Sequence, residues 1–280
     1  MATIEVNGAR FGYDDAGTGP AVVLLHSAAG PRQTWDAQFA DLARDHRVIR
    51  YDRRGFGESA DPTAPYSHSA DLLALMDALD IGQAALVGAS MGGACSLDTA
   101  LLAPERVTRL ALLGSALNGR PWPEAMQAEM LALVETALPL ERFAQYQAGS
   151  VPDADPAHAE ALADLSIGYL MAGPNRTTAV LPPEMVARLR EMSAEGYLRE
   201  WSRPLWTEEY PDTRNRLSEI TAPALVVVGE EDASGLLEIA AELAAELPHA
   251  EYVAMPATGH LPSMERPAET TALLRRFLAG

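Results

Sequence analysis

Cysteine is almost missing from this chain. Only Cys95 occurs in 280 residues, so no disulfide can form within the molecule. It lies among small residues and reads as a packed, inert thiol. Basic residues are also scarce: 21 Lys and Arg stand against 39 Asp and Glu, a formal charge of −18. Nucleic acid and anionic membrane surfaces need clustered cations, so both are excluded as expected partners. The acidity reads as a solvated, self-repelling surface. It does not fix the local field of a pocket, so a small anionic substrate stays open. No stretch approaches the ~18 apolar residues of a membrane span. The opening MATIEVNGARFGYDD has neither the basic nor the apolar segment of a secretory signal. Internal repeats and low-complexity tracts are absent. The expectation is a cytoplasmic enzyme or binding protein.

What is present is alternation. ATIEV and ARFGYDD flank Asn7-Gly8, a hairpin signal. AVVLLH (21–26) reads as a buried strand, and Gln33 to Arg44 carries Trp35, Phe39 and Leu42 at helical spacing. HRVIRY is a strand, Ser69 to Leu79 a helix, AALVGA a strand, Met91 to Leu102 a helix and VTRLALLG a strand. The pattern then breaks. From 118 to 216 there are helix-like, proline-punctuated segments and no strand run. APALVVVG, a helix over Leu236 to Leu247, AEYVAM and a last helix in ETTALLRRFLA resume it. The fold class is therefore α/β, a mostly parallel sheet with helices on both faces. Residues 1–117 and 217–280 form the core, and 118–216 an inserted helical cap.

At the end of AALVGA stands Gly88-Ala89-Ser90-Met91-Gly92. A serine in G-x-S-x-G at a strand-to-helix junction is held above the sheet on a strained, very sharp turn. Strand and helix can approach only if the flanking residues are small, as Gly88, Gly92, Gly93 and Ala94 are. The N–H of Met91 then points to an oxyanion at a helix N-terminus.

A serine hydroxyl needs a base. Of six histidines, His260 in ATGHLPSMERP follows a strand, at the carboxyl edge of the sheet where the serine turn also opens. His46 and His249 precede strands, His68 begins a helix and His158 falls in the cap; His26 ends a strand at the correct edge, but the glycine-poor loop after it suits another role. The base needs a carboxylate to fix its tautomer. Asp232 in LVVVGEEDASG follows a strand at the same edge, and the segment after VTRLALLG, GSALNG, offers no acid. Ser90, Asp232 and His260 are the candidate catalytic residues, in the chain order of α/β-hydrolases.

LLHSAAG, YDRRGFGES, VGASMGG, VVVGEED and ATGHLPSMERP together resemble the α/β-hydrolase superfamily over essentially the whole chain. The resemblance implies an eight-stranded sheet, a helical cap after the sixth strand, and no metal or organic cofactor. It implies Ala28 N–H as the second oxyanion donor beside Met91 N–H. Ser27 stands where glycine is common, and is expected to hold the loop by a local hydrogen bond or to touch substrate. Arg53 and Arg54 are expected to support that loop. Haloalkane dehalogenases and epoxide hydrolases carry aspartate at the elbow, which Ser90 excludes. HSAAG followed by TWD, with VIRYDRRGFGES, looks most like the enol-lactonase and small carboxylesterase branch.

The expected reaction is hydrolysis of a small, partly apolar carboxylic ester or lactone. Trp122, close to the strand exit, is the expected pocket residue from the cap. Five methionines of the insert are further candidates, and Arg142, His158 and Arg176 are open as carboxylate contacts or surface charge. Carbon–carbon bond hydrolysis and a non-hydrolytic, ligand-binding role on the same scaffold stay open, as does assembly into a homo-oligomer.

Overall fold

The structure is a computed structural model and describes residues 2–280. Eight strands form one sheet: β1 (Ala2–Val6), β2 (Ala9–Ala16), β3 (Ala21–Leu25), β4 (Arg47–Tyr51), β5 (Ala84–Ala89), β6 (Val107–Leu113), β7 (Ala224–Gly229) and β8 (Ala250–Met255). Their order is β1-β2-β4-β3-β5-β6-β7-β8, and only β2 runs antiparallel to its neighbours. The β1–β2 turn is made by Asn7 and Gly8, both at positive φ, as a two-residue hairpin demands.

β3, β5 and β7 carry no polar side chain, and β6 none after Arg109, because helices cover both faces. Val23, Leu25, Leu86, Leu112 and Val226 point to one core, and Val22, Leu24, Val87, Leu113 and Val227 to the other. Period-two alternation thus feeds two hydrophobic layers from continuous apolar runs. The first layer is closed by α2 (His68–Ala78), α3 (Met91–Leu102) and α8 (Ser234–Glu246). The second is closed by α1 (Asp36–Leu42) and α10 (Pro267–Ala279), which follows the single turn α9 (Pro262–Glu265).

Between β6 and β7 the chain forms α4 (Glu124–Ala137), α5 (Leu140–Gln147), α6 (Pro156–Ser166) and α7 (Pro183–Ser202), with no named strand among the described residues. α7 extends eight residues beyond the segment PEMVARLREMSA, to Ser202. It runs through Gly196 because Tyr197 and Trp201 bury themselves in a small core of its own, where Trp201 stacks on Tyr146 at 4.1 Å. Tertiary burial outweighs the helix cost of one glycine, about 1 kcal/mol. α6 continues as a π-helical turn, Ile167–Ala172. Both ends of the insert are fastened to one side chain. Asp98 of α3 accepts from Asn118 Nδ2 at 2.8 Å, where the chain leaves the core, and from Thr213 Oγ1 at 2.5 Å, where it returns.

Candidate active site

Ser90 sits between β5 and α3 at φ 52°, ψ −119°. For a residue with a Cβ this is strained backbone, and the surroundings enforce it. The N–H of Ser90 is tied to Leu113 O, and its carbonyl accepts from Gly93 and Ala116. A Cβ on Gly88 would overlap the backbone of Gly92, and one on Gly92 would overlap the carbonyl of Leu25. The glycines of G-x-S-x-G are there because strand and helix backbones touch.

His260 lies on the loop after β8, and Asp232 on the loop after β7. His260 Nδ1 and Asp232 Oδ2 are 2.9 Å apart, and both side chains are buried. The other carboxylate oxygen accepts the N–H of Ala233 at 2.8 Å. Because the carboxylate only accepts, Nδ1 is the donor of this bond, and Nε2 is the ring nitrogen it leaves uncommitted. The pair is packed hard: a Cβ on Gly114, which has φ 51°, would come 2.8 Å from His260 O and 3.1 Å from Nδ1. No side chain fits at Gly114 beside the pair.

The His260 loop is anchored from the cap. Its own N–H donates to the carbonyl of Leu170, in the π-helical turn, at 3.2 Å. Arg176 bonds Ala257 O and Glu265, and Glu265 in turn accepts from Gly259 N–H at 2.7 Å. Arg176 is thus a brace for the loop and no substrate contact.

Ser90, His260, Ser27, Ala28 and Met91 line one cavity of about 280 Å³ between sheet edge and cap. Ser27 Oγ accepts the N–H of Ala29 at 3.1 Å, which fixes the loop locally. His26 locks the same loop. Its Nδ1–H donates to Ser27 O at 2.7 Å, and Nε2 accepts the N–H of Arg53 at 2.9 Å. Burial and the Arg53 cation hold the His26 pKa well below its ordinary value, so it is a neutral structural imidazole. Arg54 is paired with buried Asp71 through both nitrogens, at 2.7 and 2.8 Å.

Trp122 is not at this cavity. It is 40% exposed and packs at the start of α8, beside Gly235. Two residues before it, Arg120 pairs with Glu238 and Glu242, which holds this stretch of chain against α8. Arg142 and His158 are likewise elsewhere: Arg142 stacks over Tyr146, and His158 Nδ1 meets Tyr146 Oη at 2.9 Å. Of the five cap methionines only Met171 reaches the Ser90 cavity. Cys95 is buried, and burial pushes its thiol pKa up, as fits an inert side chain.

Sequence reasoning missed the far wall. Tyr66, His68 and Arg203 line it. His68 stands at a helix start, but α2 begins at the wall of this cavity. Burial and the nearby Arg53 and Arg54 cations hold its pKa well below the ordinary value, and its Nδ1 has no protein partner. The signal available was the apolar–polar register of YSHSADLL, which puts His68 on the inner face with Leu72.

The sequence model of the α/β hydrolase fold family matches residues 20–267. The chain belongs to that family. A curated relative, the 2-hydroxy-6-oxononadienedioate/2-hydroxy-6-oxononatrienedioate hydrolase of Burkholderia vietnamiensis, is 32% identical over 96% of this chain and 91% of its own. Among solved structures, the enol-lactonase of Burkholderia xenovorans LB400 is 26% identical with a TM-score of 0.75, covering all of both chains. The thermophilic esterase of Thermogutta terrifontis is 27% identical with a TM-score of 0.77, covering 100% of this chain and 98% of that one. This α/β-hydrolase is therefore an enzyme, and its relatives and structural neighbours include an esterase, an enol-lactonase and a 2-hydroxy-6-oxononadienedioate hydrolase. No helix among its described residues is long and apolar enough to cross a membrane.

Proposed function

We propose that the protein hydrolyses a small carboxylic ester or lactone through an acyl-enzyme on Ser90. His260 Nε2 takes the hydroxyl proton as the oxygen attacks the carbonyl, and returns it to the leaving alcohol. Asp232 holds the Nδ1–H tautomer and stabilises the imidazolium. The N–H groups of Ala28 and Met91 receive the oxyanion. Water then attacks the acyl-enzyme by the same proton path in reverse. Residues 118–216 act as the cap that roofs the cavity.

The observation that carries this reading is the buried 2.9 Å His260–Asp232 pair, with its free imidazole nitrogen on the loop edge of the cavity that Ser90 enters from a strained turn. The test is intact-mass analysis after a fluorophosphonate probe, beside turnover of p-nitrophenyl butyrate. One adduct per chain on Ser90, lost in Ser90→Ala together with turnover, is the expected result. An unlabelled serine with no turnover would overturn the acyl-enzyme.

A second reading is hydrolysis of a carbon–carbon bond beside a carbonyl. It is favoured by the 32% identical relative named for that class of substrate. The two readings separate on a vinylogous 1,5-diketone. Ester hydrolysis leaves it untouched, and carbon–carbon hydrolysis cleaves it in a reaction that His260→Ala abolishes.

A further inference from the structure

The cap contains a second cavity, of about 180 Å³. Met130 and Val134 of α4, Phe143 of α5 and Leu162 and Leu165 of α6 supply apolar walls. Three further residues, Ser166, Leu170 and Tyr197, line both this cavity and the one around Ser90. They are the partition between the two spaces. Ser166 Oγ and Tyr197 Oη are hydrogen-bonded to each other at 2.8 Å, so the partition's polar ends are mutually satisfied.

Leu170 belongs to the π-helical turn, the irregularity that recurs at functional sites. The same turn gives its Leu170 carbonyl to His260 N–H. The cap cavity is thus one residue deep from the base's backbone and one hydrogen bond away from the serine's cavity.

We propose that the cap cavity is a subsite for the linear apolar acyl chain of the substrate, entered from the Ser90 cavity by parting Ser166 and Tyr197. The proposal rests on the acyl-enzyme reading and assigns its acyl class. The volume is about six times the ~30 Å³ taken by one water, and a methylene is of similar size. A chain of roughly six methylenes beyond the carbonyl fits. Each methylene moved from water to an apolar wall is worth about fourfold in affinity. One neutral hydrogen bond is worth about fivefold. Two methylenes past the partition therefore outweigh its opening.

The experiment is kcat/KM for p-nitrophenyl acetate, butyrate, hexanoate and octanoate, with calorimetric binding of sodium octanoate as a readout free of turnover. The full-length protein is compared with Leu165→Trp and Val134→Phe, which fill the cap cavity, each checked for a native circular dichroism spectrum. Two independent fillings guard against one that does not fold. In the parent the octanoate-to-acetate ratio is expected to exceed tenfold and octanoate to bind. In a folded filled variant the ratio is expected to fall toward one and octanoate binding to be lost. Tyr197→Phe, which keeps the ring and removes the hydrogen bond, raises the ratio several-fold. A ratio unchanged by filling, or octanoate binding unchanged by it, overturns the subsite. A ratio unmoved in Tyr197→Phe overturns the gate. If no ester is turned over while octanoate binds the parent and not the filled variants, the hydrolytic reading falls and the subsite stands.

Discussion

The carboxylate of Asp98 accepts the hydroxyl of Thr213 across 115 positions of sequence, at 2.5 Å. With Asn118 on its other oxygen, one buried aspartate holds the exit and the return of the insert. Burial raises its pKa to about 6, against the pull of the Thr213 and Asn118 hydrogen bonds. A carboxyl whose folded pKa lies above its unfolded one, ~3.9, is bound more tightly as the acid in the folded state. Its stabilisation is full below pH ~4 and is lost as pH rises through about 6. The range is up to about 3 kcal/mol. Asp98→Asn should therefore gain stability relative to the parent, by about 2 kcal/mol, between pH 4.5 and 7.5. Urea unfolding of both proteins at each pH reads this directly, and a constant difference would refute it.

Asp232→Asn keeps the size of the side chain and removes the acceptor that fixes Nδ1–H. An amide nitrogen presented to His260 favours the other tautomer, with its proton on Nε2. We expect kcat to fall by about 10³–10⁴ with the unfolding midpoint nearly unchanged. A loss below tenfold would mean that the imidazole is oriented by its packing on Gly114 alone.

Glu265 touches no part of the cavity, yet it accepts the N–H of Gly259, next to His260. Glu265→Ala should lower kcat by about ten- to a hundredfold, because sub-ångström displacement of a base is costly. KM should stay within about twofold, since the pocket walls are intact. Glu265→Gln, which still accepts from the amide, should recover most of kcat. A rise in KM with kcat unchanged would place the effect on binding instead.

Glycine-to-alanine pairs test why the elbow is built as it is. At Gly88 an added Cβ meets the backbone of Gly92, and at Gly82 it meets nothing within 4 Å. Gly88→Ala should cost about 3 kcal/mol or more, because neither backbone can yield. Gly82→Ala should stay within about 1 kcal/mol of the parent. Thermal unfolding of the two variants side by side decides it, and equal midpoints would contradict the packing argument.

The sheet, its near-parallel order and the insertion after the sixth strand were legible because each rests on local pattern. Continuous apolar runs such as AALVGA and ALVVVG mark doubly covered strands, and Ser90, Asp232 and His260 each follow one. Pairing of His260 with Asp232 was readable from the sheet edge they share. Trp122 was not, because the course of its segment is set by partners distant in sequence: Asn118 bonds Asp98, and Arg120 pairs with Glu238 and Glu242 of α8. His68 was lost for a related reason: a helix start is ordinarily exposed, and only the cap above α2 buries this one. The length of α7 was hidden by Gly196, whose cost is met by Trp201 stacking on Tyr146, 55 positions earlier, in a contact no local window contains.

The hydrogen bond from His260 N–H to Leu170 O has a bearing on how this protein can be re-engineered. In the gene the insert is one contiguous block, and it looks exchangeable for that of a relative. In space its π-helical turn supports the backbone of His260. Arg176, from the same block, steadies the next loop residues. A graft that replaces the helices above the cavity but keeps residues 167–176 preserves those supports. A graft that spans them transplants the roof and removes part of the floor. Modularity here ends at Ser166.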